Sequence, residues 1–163
     1  MILNNSTFLI YVFCLITRKF WDGIGYISKK LSSVSHKFDS ALAKKLNADN
    51  YGMKTFVMAF LKRGPNRSQD SITASNLQRS HLDNITKLAN AGKLVLAGPF
   101  LDTGDLKGIY IFDVATIEEA KKLTESDPAI QQGSLVMELK LWYGSAALLQ
   151  INEIHKTIQK TEI

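Results

Sequence analysis

Four short apolar runs, interleaved with helical patterns, are the feature that most constrains the fold of this chain. One helical pattern follows the first run and another follows the third, whereas only a polar turn separates the second run from the third. This order predicts a ferredoxin-like β-α-β-β-α-β domain of the α+β class, followed by a C-terminal helix. The predicted strands cover residues 55–61, 93–97, 108–114 and 134–141, and the predicted helices cover residues 71–91, 116–123 and 145–160.

This arrangement places both helices of the repeat on one face of the sheet and leaves large apolar side chains on the other. An exposed apolar face of that size is normally covered, and the simplest cover is the same sheet of a second copy. We therefore expect a homodimer. A small-molecule pocket is expected either between the helices and the sheet or between the two sheets.

The predicted helix at residues 71–91 carries a histidine on its apolar face. Leu77, His81, Ile85 and Leu88 follow one another at steps of four, four and three residues, so they share one side of the helix. The imidazole is expected to point into the domain, where its ring nitrogens need partners. Two interpretations stay open at this point: a core histidine bonded to a backbone carbonyl, or a site histidine that works near neutral pH.

The first fifty residues differ in character from the rest. Residues 8–16 form a nine-residue apolar run, which is too short for a helix that spans a bilayer. A signal peptide is also a poor fit, because residues 1–7 contain no Lys or Arg. We divide the chain into a leader at residues 1–50, poorly ordered or with a short helix near 38–46, and a domain at residues 51–163. We expect a cytoplasmic protein without stable membrane insertion, and export through an atypical signal stays open.

The net charge of +5 is unevenly distributed along the chain. Residues 1–51 contain seven Lys/Arg and three Asp/Glu, and residues 52–163 contain the remaining thirteen and twelve. The domain therefore lacks the basic surface that nucleic-acid binding requires. Cys14 is the single cysteine and no HxxxH or HxH spacing occurs, so we expect neither an intrachain disulfide nor a metal site. No nucleotide-binding fingerprint is present, and we expect no cofactor.

Seven tracts between residues 56 and 148 form a characteristic series. They are FVMAFLKRGPNR (56–67), HLDNI (81–85), GKLVLAGPF (92–100), DLKGIYIFDV (105–114), TIEEAKKL (116–123), SDPAIQQG (126–133) and LWYGSAAL (141–148). In this order and spacing they resemble the YciI-like, or YCII-related, family over roughly residues 53–149. The resemblance implies a dimeric α+β barrel built from two ferredoxin-like subunits.

The resemblance also implies a His–Asp active centre, which falls on His81 of the HLDNI tract and Asp127 of the SDPAIQQG tract. Asp127 precedes Pro128, and this pair is typical of the N-cap and first residue of a helix, so capping alone explains it. The two roles are compatible, because a capping carboxylate can also orient an imidazole. A His–Asp pair suits general acid–base catalysis near neutral pH.

Four further residues are candidates for substrate binding, each with a simpler alternative. Gly98 and Pro99 end a predicted strand, and in this fold they could also shape the mouth of the pocket. Arg63 could bind an anionic substrate or could be a solvated loop charge. Trp142 could line the pocket or could anchor the start of the last helix.

Two functions follow from these observations. The first is a small cofactor-free enzyme that uses His81 and Asp127 for elimination, hydrolysis or isomerisation of a small organic substrate. A proton-transfer reaction fits better than covalent catalysis, because the domain has no G-x-S-x-G tract. The second is a non-catalytic dimeric domain that binds a small ligand or assists a partner. The absence of nucleophile, metal and cofactor motifs motivates this alternative.

Overall fold

A computed structural model of the protein describes residues 37–66 and 69–161. The predictions for the apolar run and for the rest of the chain up to residue 36 lie outside the described residues. The elements are α1 (Ser40–Lys45), β1 (Met53–Arg63), α2 (Ser71–Asn90), β2 (Leu94–Pro99), β3 (Leu106–Phe112), α3 (Ile117–Thr124), α4 (Pro128–Gln131), β4 (Leu135–Ser145), a 3₁₀ helix (Ala146–Gln150) and α5 (Ile151–Ile158).

The four strands form one antiparallel sheet with the order β2-β3-β1-β4. β1 is central and pairs with both β3 and β4, whereas β2 is an edge strand that pairs with β3 alone. With α2 between β1 and β2, and α3 and α4 between β3 and β4, this is the ferredoxin-like α+β arrangement. The predicted fold of the subunit is confirmed.

Alternation along β1 divides the core into two layers. Val57, Ala59 and Leu61 point to the face that α2 and α3 cover, because successive side chains of a strand point to opposite faces. Tyr110 and Phe112 of β3 lie on that same face. These five buried residues belong to the helix-side core.

The other face of the sheet is partly covered by the chain itself. Phe56, Val95 and Ile111 are buried there, and Leu148 and Leu149 of the 3₁₀ helix pack against them. The expectation that this face is bare is therefore wrong for the part beneath the C-terminal segment. The reason is that β4 is followed at once by a compact helical turn, which folds back over the sheet.

The last helix differs from its predicted form. The sequence predicts one helix over residues 145–160, but the α-helix covers only Ile151–Ile158, where Ile154 and Ile158 are 57% and 75% exposed. The helical segment begins as a 3₁₀ helix capped by Ser145. A 3₁₀ helix has three residues per turn rather than 3.6, so the residues that follow point in directions that a continuous α-helix would not give.

The segment before β1 belongs to the same compact unit, which comprises Ser40–Ile163. The carboxylate of Asp49 accepts hydrogen bonds from the backbone N–H groups of Tyr51 and Met53 and from the hydroxyl of Tyr143 in β4. These hydrogen bonds hold the segment that precedes β1 against β4, which is an edge strand of the sheet. Within the described ranges, no helix combines the length and apolar character needed to cross a membrane.

Candidate active site

Helix α2 places His81 in the interior. Asp70 is the N-cap of this helix, and its carboxylate accepts hydrogen bonds from the backbone N–H groups of Ile72 at 2.9 Å and Thr73 at 3.0 Å. Such a cap satisfies amide groups that the first helical turn leaves unpaired. Eleven residues further on, the His81 side chain faces the sheet and the residue is only 8% exposed. The inward direction predicted from the spacing of apolar residues is the one observed.

Asp127 uses its two carboxylate oxygens for two different partners. Oδ1 accepts a hydrogen bond from the backbone N–H of Ala129 at 2.8 Å and so caps α4, which has Pro128 at its first helical position. Oδ2 lies 2.7 Å from Nδ1 of His81. The same carboxylate therefore caps α4 and contacts the imidazole of His81, the two roles expected from the sequence to be compatible. At 1% exposure, it is shielded from water.

A third buried residue, Tyr110 of β3, completes the cluster. Its hydroxyl lies 3.2 Å from Nε2 of His81. Burial, and in addition the carboxylate of Asp127, raises the pKa of Tyr110 well above the ordinary tyrosine value. The hydroxyl therefore keeps its proton. In the tautomer of the neutral ring that carries its hydrogen on Nδ1, Nδ1–H donates to Asp127 and Nε2 accepts a hydrogen bond from Tyr110. The three side chains form a continuous chain of hydrogen bonds from Tyr110 through His81 to Asp127.

Sequence reasoning did not single out Tyr110. The alternation in β3 was the available signal, since it puts the residue on the helix-facing side together with Phe112. A phenol that is 3% exposed normally has a hydrogen-bond partner for its hydroxyl. The partner itself could not be read from the sequence, because it lies 29 residues away in another element.

One more polar contact holds the Asp127 segment against α2. Ser126 donates its hydroxyl to the carbonyl of Leu123 at 2.7 Å and lies 3.2 Å from Oδ1 of Asn84. Asn84 sits one turn after His81 and is 7% exposed. This contact helps to fix the position of the loop that carries Asp127.

None of the four candidates for substrate binding takes part in the hydrogen bonds of this cluster. Arg63 is at the end of β1, with Nε 3.7 Å from the carboxylate of Asp105. Gly98 and Pro99 end the edge strand β2. Trp142 packs against Phe56 on the opposite face of the sheet from Tyr110, with ring centroids 6.1 Å apart. The structure joins His81 to Asp127 by a hydrogen bond but shows no hydrogen bond or ion pair of either with these four residues.

A cleft of about 200 Å³ opens beside the cluster, between the start of α2, helix α4 and the start of β4. Leu77 in its wall lies one helical turn before His81. Ala129 in its wall is the residue whose N–H is bound by Asp127. The cleft is therefore next to the His–Asp pair. Among the described residues, no group of three or more His, Cys, Asp or Glu side chains could hold a metal ion.

Fold and site together define a ferredoxin-like α+β domain with a buried His–Asp pair between a helix and a helix start. The sequence matches the YCII-related domain over residues 55–143, which is more than half of the chain. The protein belongs to the YCII-related family, and the predicted family is confirmed.

One solved structure similar to this chain is 5-chloro-2-hydroxyhydroquinone dehydrochlorinase (TftG) from Burkholderia phenoliruptrix AC1100, in complex with 2,5-dihydroxybenzoquinone. The two chains are 20% identical, and the alignment covers 55% of this chain and 93% of the other with a TM-score of 0.41. A search of curated proteins finds no match to this sequence.

Proposed function

We propose that this protein is a small-molecule enzyme in which His81 transfers a proton and Asp127 orients it. The observation that carries the proposal is the 2.7 Å contact between Nδ1 of His81 and Oδ2 of the buried Asp127 carboxylate. With Nδ1 committed to Asp127, Nε2 is the nitrogen that can accept or return a proton. Membership of the YCII-related family supports a role toward a small molecule.

The geometry of Asp127 supports this role beyond simple capping. A carboxylate that is fully removed from water is costly unless its oxygens are paired. The cap to Ala129 satisfies Oδ1 alone, whereas Oδ2 is directed at the imidazole. A carboxylate at this distance can stabilise the imidazolium that forms when His81 accepts a proton from a substrate.

Tyr110 is proposed as a positioning residue. Its hydroxyl donates to Nε2 and thereby selects the tautomer in which Nδ1 carries the hydrogen. The lone pair on Nε2 is then the basic site. When a substrate proton arrives at Nε2, the Tyr110 hydroxyl gives up that position and the ring becomes positively charged beside Asp127.

The reaction class follows from what the cluster can do. Its members are a base, its carboxylate partner and a protonated phenol, which together can remove a proton and return it. We therefore propose elimination, isomerisation or hydrolysis by a water that His81 activates, without a cofactor. The test is a panel of small carbonyl and phenolic compounds in deuterated water, followed by proton NMR for conversion or deuterium incorporation. Conversion by the native protein that is lost in His81→Gln supports the proposal, and equal rates in both proteins would contradict it.

A second candidate function is a non-catalytic domain that binds a small ligand or assists a partner. It is favoured by the fact that both ring nitrogens of His81 already have protein partners and that its side chain is 10% exposed. In this case ligand binding survives His81→Gln and no compound of the panel is converted by the native protein.

We further propose that two copies associate through the uncovered part of the sheet. The face of the sheet opposite α2 and α3 is only partly covered by the C-terminal segment. On the rest of this face Val136 is 42% exposed, and Phe60 and Met58 are only partly buried. A second copy would bury these side chains, and the mass in solution tests this. The substrate-binding roles of Arg63, Gly98, Pro99 and Trp142, and a cytoplasmic location, stay predictions.

A further inference from the structure

We propose that the cleft beside the His–Asp pair binds a small uncharged organic molecule through an oxygen atom that accepts a hydrogen bond from the side chain of Gln69. The cleft lies between α2, α4 and the start of β4. Gln69 stands immediately before Asp70, the N-cap residue of α2. The proposal rests on the proposed function in so far as the bound molecule is the substrate.

The side-chain amide of Gln69 is the observation that points to a ligand. Its nitrogen is shielded from solvent and has no hydrogen-bond partner within residues 37–66 and 69–161. A buried donor without a partner is unfavourable, because it has given up its bonds to water without replacement. Because Gln69 lines the cleft, rotation of its side chain would bring this nitrogen to an acceptor oxygen on a bound molecule, which would supply the missing partner.

The other walls define the chemical class of the ligand. Leu77, Ala129 and Leu135 supply apolar surface, and Gln78 and Ser134 are the other polar residues that the described part of the chain contributes to the wall. Among the described residues no charged side chain lines the cleft, so a carboxylate or an ammonium ion would lose its hydration without a counter-charge from them. A ketone, an amide or a phenol loses far less, and its oxygen can be paired with Gln69.

The size of the cleft limits the ligand further. At about 200 Å³ it is smaller than the ~300–1,000 Å³ sites that hold drug-sized molecules. A molecule with a single ring and one or two small substituents is the appropriate size. Since Ala129 lines the cleft and donates its N–H to Asp127, such a molecule would lie beside the catalytic pair.

Acetophenone and ethylbenzene provide a matched pair of probes, because they have similar shapes and only acetophenone carries an acceptor oxygen. Binding is followed by NMR titration of the full chain, with the side-chain amide of Gln69 and the methyl groups of Leu77 and Ala129 as reporters. We expect acetophenone to shift all three, and Gln69→Leu to weaken its binding about 3- to 10-fold, the usual contribution of one hydrogen bond. Ethylbenzene should bind the native protein and Gln69→Leu equally.

Three further measurements keep the test decisive. Gln159→Leu, which lies outside the cleft, should leave acetophenone binding unchanged. Gln69→Asn keeps an amide but shortens its reach, so it should also weaken acetophenone binding and serves if Gln69→Leu fails to fold. Benzoate should bind more weakly than acetophenone. Equal weakening of both probes by Gln69→Leu, reporter shifts outside the cleft, or tighter binding of benzoate would each overturn the proposal.

The outcome is separable from that of the proposed function. His81→Gln should abolish conversion of substrates but should leave acetophenone binding within about twofold of the native value, because His81 is not among the residues that line the cleft. Binding without catalysis in the native protein would contradict the proposed function alone. Catalysis without binding of acetophenone in the cleft would contradict this proposal alone.

Discussion

The carboxylate of Asp127 caps helix α4 with one oxygen and contacts Nδ1 of His81 at 2.7 Å with the other. The Asp127 side chain thus links the start of α4 to the orientation of the His81 imidazole on α2. The two residues are 46 positions apart, so the contact also fastens α4 to α2. Stability and proton transfer should therefore change together when Asp127 is altered, although not in the same proportion.

Asp127→Ala should destabilise the domain by about 3–5 kcal/mol, since it leaves His81 and the Ala129 N–H without a buried partner. Asp127→Asn retains one acceptor oxygen, so it should cost about 1–3 kcal/mol. Urea denaturation at pH 7 measures both values. Asp83→Asn, an exposed change on α2, is the control and should lie within ±0.5 kcal/mol of the native protein. Equal costs for Asn and Ala at position 127 would show that only the charge matters and would contradict the two-partner arrangement.

His81→Gln separates structure from proton transfer. A glutamine amide can donate to Asp127 but cannot accept and return a proton near neutral pH, so we expect turnover of any identified substrate to fall by about 10²- to 10⁴-fold. Circular dichroism should show an unchanged fold. His155→Gln is the matched control because His155 is exposed on α5. If both variants lose activity alike, the loss does not come from the buried pair.

Tyr110→Phe tests the third member of the cluster through alkaline stability. The pKa of Tyr110 is raised in the folded protein, first by burial and then by the charge of Asp127. The unfolded chain therefore releases this proton first, near the ordinary pKa of about 10. The contribution of the protonated hydroxyl to folding is complete below that pH and is lost progressively above it.

The native protein should accordingly lose stability more steeply than Tyr110→Phe between pH 9 and pH 12. Urea denaturation at several pH values measures the slopes, and absorbance at 295 nm follows tyrosine ionisation. Tyr51→Phe removes a tyrosine that is 86% exposed, so it should retain the native slope. Identical slopes for the native protein and Tyr110→Phe would mean that the hydroxyl titrates normally in the folded state.

Much of this architecture is predictable from local patterns, and the reason is periodicity. Leu77, His81 and Leu88 are spaced as one face of a helix, so the direction of His81 follows from α2 alone. The continuous apolar run of β1 likewise predicts a buried strand, and the alternation of apolar residues in β4 predicts two faces of a sheet. The Asp127-Pro128 pair marks a helix start by its own chemistry. Each of these signals is contained within a few neighbouring residues.

The remaining parts depend on contacts between distant segments. Tyr110 becomes a site residue only because β3 lies beside β1 and under α2, and no spacing within β3 reveals that neighbour. The cover provided by Leu148 and Leu149 depends on a 3₁₀ turn that the apolar pattern does not distinguish from an α-helix. The position of Trp142 on the far face follows from the register of β4 against β1, in which it pairs with Phe56.

Phe56→Ala tests whether the far face of the sheet is a core in its own right. Phe56 is fully buried between the sheet and the C-terminal segment, so its truncation should cost about 3–5 kcal/mol. Phe100→Ala removes a ring that is 43% exposed and should cost far less. The two free energies of unfolding are compared by urea denaturation. A cost for Phe56→Ala near that of Phe100→Ala would show that the C-terminal segment does not cover this face in solution.

The Asp70 cap makes the stability of the first turn of α2 depend on pH in the acid range. Hydrogen bonds from the backbone N–H and hydroxyl of Thr73, and from the N–H of Ile72, lower the pKa of its carboxyl group. A lowered pKa means that the unfolded chain takes up the proton first as the pH falls. The contribution of the cap is therefore complete above the ordinary aspartate pKa of about 4 and is lost as the pH falls through the lower value of the folded protein.

Asp70→Asn keeps an oxygen that can accept from Thr73 but has no proton to bind in this range. Its stability should accordingly fall less steeply than that of the native protein between pH 5 and pH 2, as measured by urea midpoints at several pH values. Asp102→Asn, in the exposed turn before β3, should follow the native curve more closely. If Asp70→Asn instead runs parallel to the native protein, the carboxylate is not what the first turn of α2 binds, and the helix that carries His81 begins without a charged cap.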